Sequence, residues 1–343
     1  MTGALNSRIR LFLLVGTLFA LVLALATRGA LSVHTTASTD SPLPVVAVPG
    51  YQVSLFTTAP SGLKNPDSVA VDGNRVFIDY QNVTSKTGGD GKFSTVVQYN
   101  LGGHEMNRWN VSGHSDGMRI DPSTHLIWTT SNEDGNPTFA LIDTNANTVT
   151  PYTFPMPTPH GGGYDDLYFL GGKAYVAASN PQNNPNLAPA IDQIKLNSNH
   201  TITLTPILMS SADLNLQDPD SLSTDGSGDL VLVDQGDSLL VTIADPGTAN
   251  QTVTTLSVGT QLDDTVYPSG DGRLLVVDAG GNTYWIAKDS PFAAGSIYTQ
   301  APNDSGVTNF VGTVDPSSGL ITPLAVGFTK ATGMVFVSDS EGE

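Results

Sequence analysis

The sequence predicts an all-β protein, a β-propeller of six four-stranded blades. One pattern, built on Asp, recurs along the chain at intervals near 50 residues. Each copy alternates apolar and polar residues with period two on either side of a Gly-rich turn, the mark of half-buried strands joined as hairpins. The composition agrees: 35 Gly and 22 Pro in 343 residues, with only 13% charged residues, suit many short turns and neither a helical bundle nor a coiled coil.

Taken in order, the first element is a leader. Arg8 and Arg10 precede an uncharged apolar run from Leu11 to Ala26, and Ala24-Leu-Ala26 offers a small-x-small cleavage site. These features describe a secretory signal peptide over 1–26. The run is short for a membrane span, which takes about 20 residues, so an uncleaved anchor is the alternative. The expected location is secreted or periplasmic, with no membrane association after cleavage. Residues 27–49, rich in Ser, Thr, Pro and Ala, read as a linker, and 50–343 as a single propeller domain. The chain has no cysteine, which excludes disulfides, thiol catalysis and Cys-ligated zinc.

The propeller opens with a strand, Tyr51-Gln-Val-Ser-Leu-Phe. The first copy follows as Asp67-Ser-Val-Ala-Val-Asp-Gly-Asn-Arg-Val-Phe-Ile-Asp, and the second as Asp116-Gly-Met-Arg-Ile-Asp-Pro-Ser-Thr-His-Leu-Ile-Trp. The third is Asp165-Asp-Leu-Tyr-Phe-Leu-Gly-Gly-Lys-Ala-Tyr-Val-Ala. The fourth and fifth begin at Asp220 and Asp264, each reading as a complete hairpin, and a truncated sixth is Thr332-Gly-Met-Val-Phe-Val. Further strand-like runs follow in each unit, giving four strands per copy. The inner strands are expected at 67–72, 116–121, 166–170, 220–225, 264–268 and 333–337. The last copy ends after one strand, so the strand at Tyr51 is expected to complete that blade and remove an open edge, with Ile297–Leu324 as a further contributor. The count is six, with five and seven left open; a β-sandwich is the runner-up.

In an up-and-down blade the start of the innermost strand and the end of the second lie at the same end of the channel. That places Asp67, Asp116, Asp165, Asp220 and Asp264 around one mouth, as candidate metal ligands. His114 and Asp116 are the candidate acid–base pair. Asn132, His160, Tyr164, Asn180 and Asp237 are the candidate substrate contacts. The dull alternatives are turn caps for the Asp residues and a plain interblade connection for His160-Gly-Gly-Gly. Like charges so close repel, which asks for protonation, hydrogen bonds or a bound cation; an all-oxygen set suits Ca²⁺. The net charge of −18 excludes nucleic acid as a partner. A small molecule or carbohydrate is the expected ligand.

His114-Ser-Asp-Gly-Met-Arg-Ile-Asp-Pro-Ser-Thr-His-Leu-Ile-Trp resembles the repeat of NHL and gluconolactonase-type (senescence-marker) propellers. That resemblance implies that Asp116 helps hold a divalent metal and serves as a base in lactone hydrolysis. The Glu-Gly-Pro and Ser-Asn-Gly-Leu motifs of the gluconolactonases are missing. From about Tyr51 to Val337 the chain also resembles a family of exported propellers, through Asn132-Glu-Asp-Gly-Asn-Pro, His160-Gly-Gly-Gly-Tyr-Asp-Asp, Asp218-Pro-Asp-Ser-Leu and Leu262-Asp-Asp-Thr. Two functions follow as expectations: a metal-dependent lactonase or esterase, or a non-catalytic propeller binding a sugar, a cation or a protein.

Overall fold

The computed structural model describes residues 45–302 and 309–339; the expected leader and nearly all of the linker lie outside them. Two strands lead in, β1 (Val46–Ala47) and β2 (Tyr51–Thr58). Blade 1 is β3 (Pro66–Asp72), β4 (Arg75–Tyr80), β5 (Phe93–Asn100) and β6 (Glu105–Ser112). Blade 2 is β7 (Ser115–Ile120), β8 (Ile127–Ser131), β9 (Thr138–Asp143) and β10 (Thr148–Thr153). Blade 3 is β11 (Leu167–Leu170), β12 (Lys173–Ala177), β13 (Pro189–Leu196) and β14 (Ile202–Met209). Blade 4 is β15 (Pro219–Thr224), β16 (Leu230–Asp234), β17 (Leu239–Ala244) and β18 (Thr252–Ser257). Each is an antiparallel meander whose first strand is innermost. Among the described residues there is no α-helix.

The last two blades are interleaved, and here the fold departs from the simple repeat. After β19 (Thr265–Val266) the chain runs into β20 (Gly272–Asp278) and β21 (Asn282–Lys288), then β22 (Ile297–Ala301), β23 (Phe310–Val314), β24 (Ile321–Val326) and β25 (Ala331–Ser338). β19 does not form the expected hairpin with β20; it pairs with β22, Thr265 opposite Thr299. β20 pairs instead with β25 and β21, and β2 closes that sheet from outside. Blade 5 is therefore β19-β22-β23-β24 with β1 on its edge, and blade 6 is β25-β20-β21-β2. Ile297–Leu324 thus builds blade 5, whereas a strand for the last blade was the expectation. Pro268 cannot donate to a ladder, and Gly270 (φ 86) turns the chain away and bridges to Phe292 in both directions, at 2.9 and 2.8 Å. The expected closure of the last blade by the strand at Tyr51 is found.

The core lies between blades. Val69 and Ile78 meet Leu275 and Val277 of blade 6, and Phe77 and Val96 meet Met118 and Ile127 of blade 2. Equivalent apolar seams join blades 2 and 3, 3 and 4, 4 and 5, and 5 and 6. Six seams close a ring, because the middle strands of each blade bury both faces against neighbouring sheets.

Candidate functional site

Period two sets the site. His114 and Asp116 flank Ser115 at the start of β7, so their side chains share one side of the strand. Glu133 follows the end of β8. It is aimed by Asn132, whose left-handed backbone (φ 69) turns the chain and whose Oδ1 accepts the His114 N–H at 2.9 Å. The ligand-capable atoms of His114, Asp116 and Glu133 lie within 4.8 Å of one another, and all three residues are buried.

The loop after β4 supplies the surroundings. Gln81 Nε2 donates to Asp116 Oδ1 at 2.8 Å. His114 Nδ1 faces the Thr84 hydroxyl at 2.8 Å and the Thr84 carbonyl oxygen at 3.3 Å. With the proton on Nδ1 the ring donates to Thr84 and presents the Nε2 lone pair to the site. Nε2 stands 3.6 Å from Asp116 Oδ1; Nε2 itself and Asp116 Oδ2 are buried with no hydrogen-bond partner. Lys86, from the same loop, pairs its ammonium with Glu133.

Acids from four blades surround this group. Burial and then the charges of Glu133 and Asp67 push the Asp116 carboxyl well above the usual range. Asp165 and Asp220 are raised likewise, by burial first and then by each other or by Asp263. Burial raises Asp67 to about 7, with Lys330 opposing and Glu133 and Asp264 adding to the shift. Glu133 goes the other way: burial pushes it up, but Lys86, a hydrogen bond from Asp165 and the His114 ring bring it below the usual value. Burial lowers His114, against the pull of Glu133, so its imidazole is neutral at pH 7. Burial thus favours the neutral form of several of these carboxyls, and one ammonium, from Lys86, pairs with Glu133.

A charged floor lies deeper in the channel. Arg119 on β7 reaches across to Asp166 Oδ2 at 2.6 Å, Asp264 Oδ1 at 3.3 Å and the Leu222 carbonyl oxygen at 3.3 Å. Asp166 Oδ2 also accepts the Leu222 N–H at 3.0 Å, and Asp264 Oδ2 the Met334 N–H at 2.7 Å. Five blades are tied through this one guanidinium. Beyond it, toward the opposite face, opens a cavity of about 530 Å³ lined by Tyr168, Tyr267 and Phe336 among others.

The sequence-predicted residues therefore divide. His114 and Asp116 stand together, with Asp67, Asp165 and Asp220 in the same acidic group. Asp264 is held by Arg119 and the Met334 N–H. Asn132 is engaged at both ends of its amide, donating from Nδ2 to the Asn136 carbonyl oxygen at 3.0 Å. Buried His160 binds the Gly163 carbonyl oxygen through Nε2 at 2.5 Å, and Tyr164 stacks on Phe154 and reaches Asp192 at 3.4 Å. Asn180 donates to Asp134 at 2.9 Å, and Asp237 accepts the Gln217 N–H at 3.2 Å. Gly162 and Gly163 are packed, not loose: a Cβ on Gly163 would stand 2.1 Å from the Asn132 carbonyl oxygen. Lys86, Gln81, Thr84, Arg119 and Asp166 were not among the expected site residues, whereas Glu133 belongs to the Asn132-Glu-Asp stretch expected at this mouth. Glu133 carried a signal, being one of four glutamates beside 28 aspartates.

No family model matches the chain, and no curated protein matches it. Among solved structures it is similar to a protein of unknown function from Bacteroides caccae, at 12% identity and TM-score 0.49 over 81% of this chain and 88% of that one. It is similar to a candidate gluconolactonase at 13% identity and TM-score 0.48, covering 86% and 88%. It is also similar to a catalytically inactive virginiamycin B lyase from Staphylococcus aureus solved with quinupristin, at 10% identity and TM-score 0.44, covering 80% and 88%. At these identities and scores the neighbours add nothing to the chemistry of the site, which rests on the residues of this chain.

Proposed function

We propose that this propeller is a divalent-cation-dependent hydrolase of small esters or lactones, with its centre at His114, Asp116 and Glu133. The observation that carries the proposal is the convergence of these three buried side chains within 4.8 Å, with His114 Nε2 and Asp116 Oδ2 left without protein partners. The donor chemistry fits a metal. A neutral imidazole whose other nitrogen is held by Thr84, beside two carboxylates, is a familiar arrangement around Zn²⁺. One nitrogen and two oxygens suit Zn²⁺ or Mn²⁺ better than the Ca²⁺ that an all-oxygen ring of Asp would favour. Such a cation supplies a Lewis acid for a carbonyl oxygen and lowers the pKa of water.

The chain's own groups do the rest. Asp116 would serve as the base once a bound cation displaces the proton that burial favours, a role its resemblance to the gluconolactonase position implies. Gln81 fixes one Asp116 oxygen and leaves the other directed into the site. Lys86 sits on a partly exposed loop and can leave Glu133 for the developing carboxylate of a product. The acidic surroundings favour neutral or cationic substrates and expel an anionic product.

A second reading rests on Lys86. Its ammonium already neutralises Glu133, so the mouth can serve as a non-catalytic site for a carbohydrate or another small polar ligand. Thermal melts with Zn²⁺, Mn²⁺, Ca²⁺, Mg²⁺ or EDTA, followed by a panel of lactones and esters, separate the two. A melting temperature that rises with Zn²⁺ or Mn²⁺, with metal-dependent turnover, supports the hydrolase. Identical melts in every condition sink it.

A further inference from the structure

Asp79 on β4 is completely buried, 0% exposed, yet it belongs to none of the groups described so far. Its side chain points into the seam between blades 1 and 2, because Phe77, two residues earlier on the same face, packs there against Met118 and Ile127. The second-strand positions that face the next blade at the same level are Ala177 in blade 3, Val233 in blade 4 and Val277 in blade 6. Three blades thus build this position from a small apolar residue, while blades 2 and 5 place neutral Thr130 and Gln300 there; only blade 1 carries an ionisable group. A buried carboxyl there is a cost to the fold.

The surroundings are equally unlike a packing seam. Neither Asp79 oxygen meets a donor at hydrogen-bond distance; the polar groups turned toward it are the Ser115 hydroxyl and the Tyr80 N–H. The hydroxyls of Ser115, Thr129 and Ser131 are also buried without partners. Thr129 and Ser131 share the β8 face of Ile127, which packs on blade 1, and Ser131 is the cross-strand partner of Ser115. This polar pocket lies directly behind the site, since Ser115 sits between His114 and Asp116 in sequence. The charged groups whose fields act between Asp79 and its surroundings are acids, Asp67 on β3 and Asp116 on β7. Burial, and after it the charge of Asp67, holds the Asp79 carboxyl well above the usual range, against the pull of Ser115.

We propose that Asp79 is a positioning residue of the mouth site, a buried acid that gives up its proton when a divalent cation settles on His114, Asp116 and Glu133 and then helps hold that cation by charge alone. The inference rests on the cation site proposed above. It makes the blade 1–blade 2 seam part of the functional machinery, acidic at a level where blades 3, 4 and 6 carry Ala177, Val233 and Val277.

The test is calorimetric titration of Zn²⁺ and Mn²⁺ into the full chain, in buffers of different ionisation enthalpy so that released protons are counted. Wild type, Asp79→Val and Asp79→Asn are compared, with melts in EDTA alongside. Asp79→Val adopts the residue of blades 4 and 6 and is expected to melt at or above the wild-type temperature. Both variants should bind the cation about fivefold or more weakly, the scale of one carboxylate near a divalent ion in a largely aqueous field. Both should release about one proton fewer. A merely structural Asp79 would not change the proton count. If Asp79→Val fails to fold, the near-isosteric Asp79→Asn decides alone. Cation binding within twofold of wild type and an unchanged proton count overturn this inference while leaving the cation site standing. A wild-type chain that binds neither cation overturns both.

Discussion

Arg119→Met should be among the most damaging single changes in the channel. The guanidinium is held by two carboxylates, Asp166 at 2.6 Å and Asp264 at 3.3 Å, with side-chain exposures of 17% for Arg119, 4% for Asp166 and 9% for Asp264. Met keeps most of the stem's packing, so the change isolates the charge. Removing one partner of a buried ion pair costs about 3–5 kcal/mol, because the other charge is left uncompensated. Unfolding entropy of about 2.1 cal/mol/K per residue, over the roughly 290 described residues, gives about 0.6 kcal/mol/K. The expected fall in melting temperature is therefore about 5–8 °C near pH 8. The pH dependence has a definite sign. In the variant Asp166 loses its counter-charge, so its native pKa rises further above the unfolded value near 3.9. The native state then holds protons that the unfolded chain has released, and stability drops as pH rises through that window. Burial already lifts wild-type Asp166 to about 7 against the pull of Arg119, so the quantity to follow is the difference between variant and wild type. Calorimetric melts at pH 5 and pH 8 measure it. A deficit below about 1 kcal/mol at pH 8, or one no larger there than at pH 5, would refute the reasoning.

Three further outcomes are expected. Asp116→Asn should abolish most of any Zn²⁺- or Mn²⁺-dependent rise in melting temperature. Asp121→Asn should leave it intact, because Asp121 serves a turn at the opposite face by accepting from Ser123 and Thr124; equal effects of the two would remove Asp116 from the site. Gly163→Ala should cost more than about 2 kcal/mol, since its Cβ would overlap the Asn132 carbonyl oxygen at 2.1 Å, whereas Gly226→Ala meets nothing within 4 Å and should be neutral in denaturant titrations. Burial lowers the His160 pKa to about 4, so the native state refuses a proton that the unfolded chain takes up below about 6.5. Stability should fall between pH 6.5 and 4 by up to about 3 kcal/mol, and His160→Gln should flatten that limb of the pH–stability curve.

Blades 1 to 4 were legible because each is a local meander. The hairpin signals at Asp72-Gly, Gly171-Gly and Asp225-Gly mark turns that close on the next strand in sequence, and the predicted inner strands at 67–72 and 220–225 coincide with β3 and β15 within a residue. Blade 5 was not, for a physical reason. Leu274, Leu275, Val276 and Val277 are all fully buried, which identifies β20 as a central strand but not the sheet that contains it. Strand identity is local; partner identity depends on which apolar faces remain uncovered once the ring closes. Only the long interval between the fifth and sixth copies, 68 residues against 49 for the first two steps, hinted that two blades share that stretch.

The site was legible to the same depth. A repeat position fixes where a side chain stands, and it placed Asp67, Asp116, Asp165 and Asp220 in one acidic group. What each does depends on partners from segments that carry no period. Asp264 occupies the repeat position, yet Arg119 and the Met334 N–H bind both of its oxygens. Asp116 has an oxygen to spare because its neighbours are Gln81, a neutral imidazole and other acids. Asn132 and Asn180 resemble ligand contacts in sequence, but both adopt left-handed backbone, at φ 69 and 51, a conformation that Asn tolerates better than most residues. Their amides are engaged in holding the loops. Chemistry thus concentrates where the ring departs from its own symmetry. Blade 2 alone starts its inner strand with a histidine two residues before the repeat Asp, follows its second strand with a glutamate, and faces an acid in the seam behind. Side chains equivalent by repeat are consequently poor controls for one another in charge, and good controls in packing; Val233 and Val277 are the measure of what Asp79 costs.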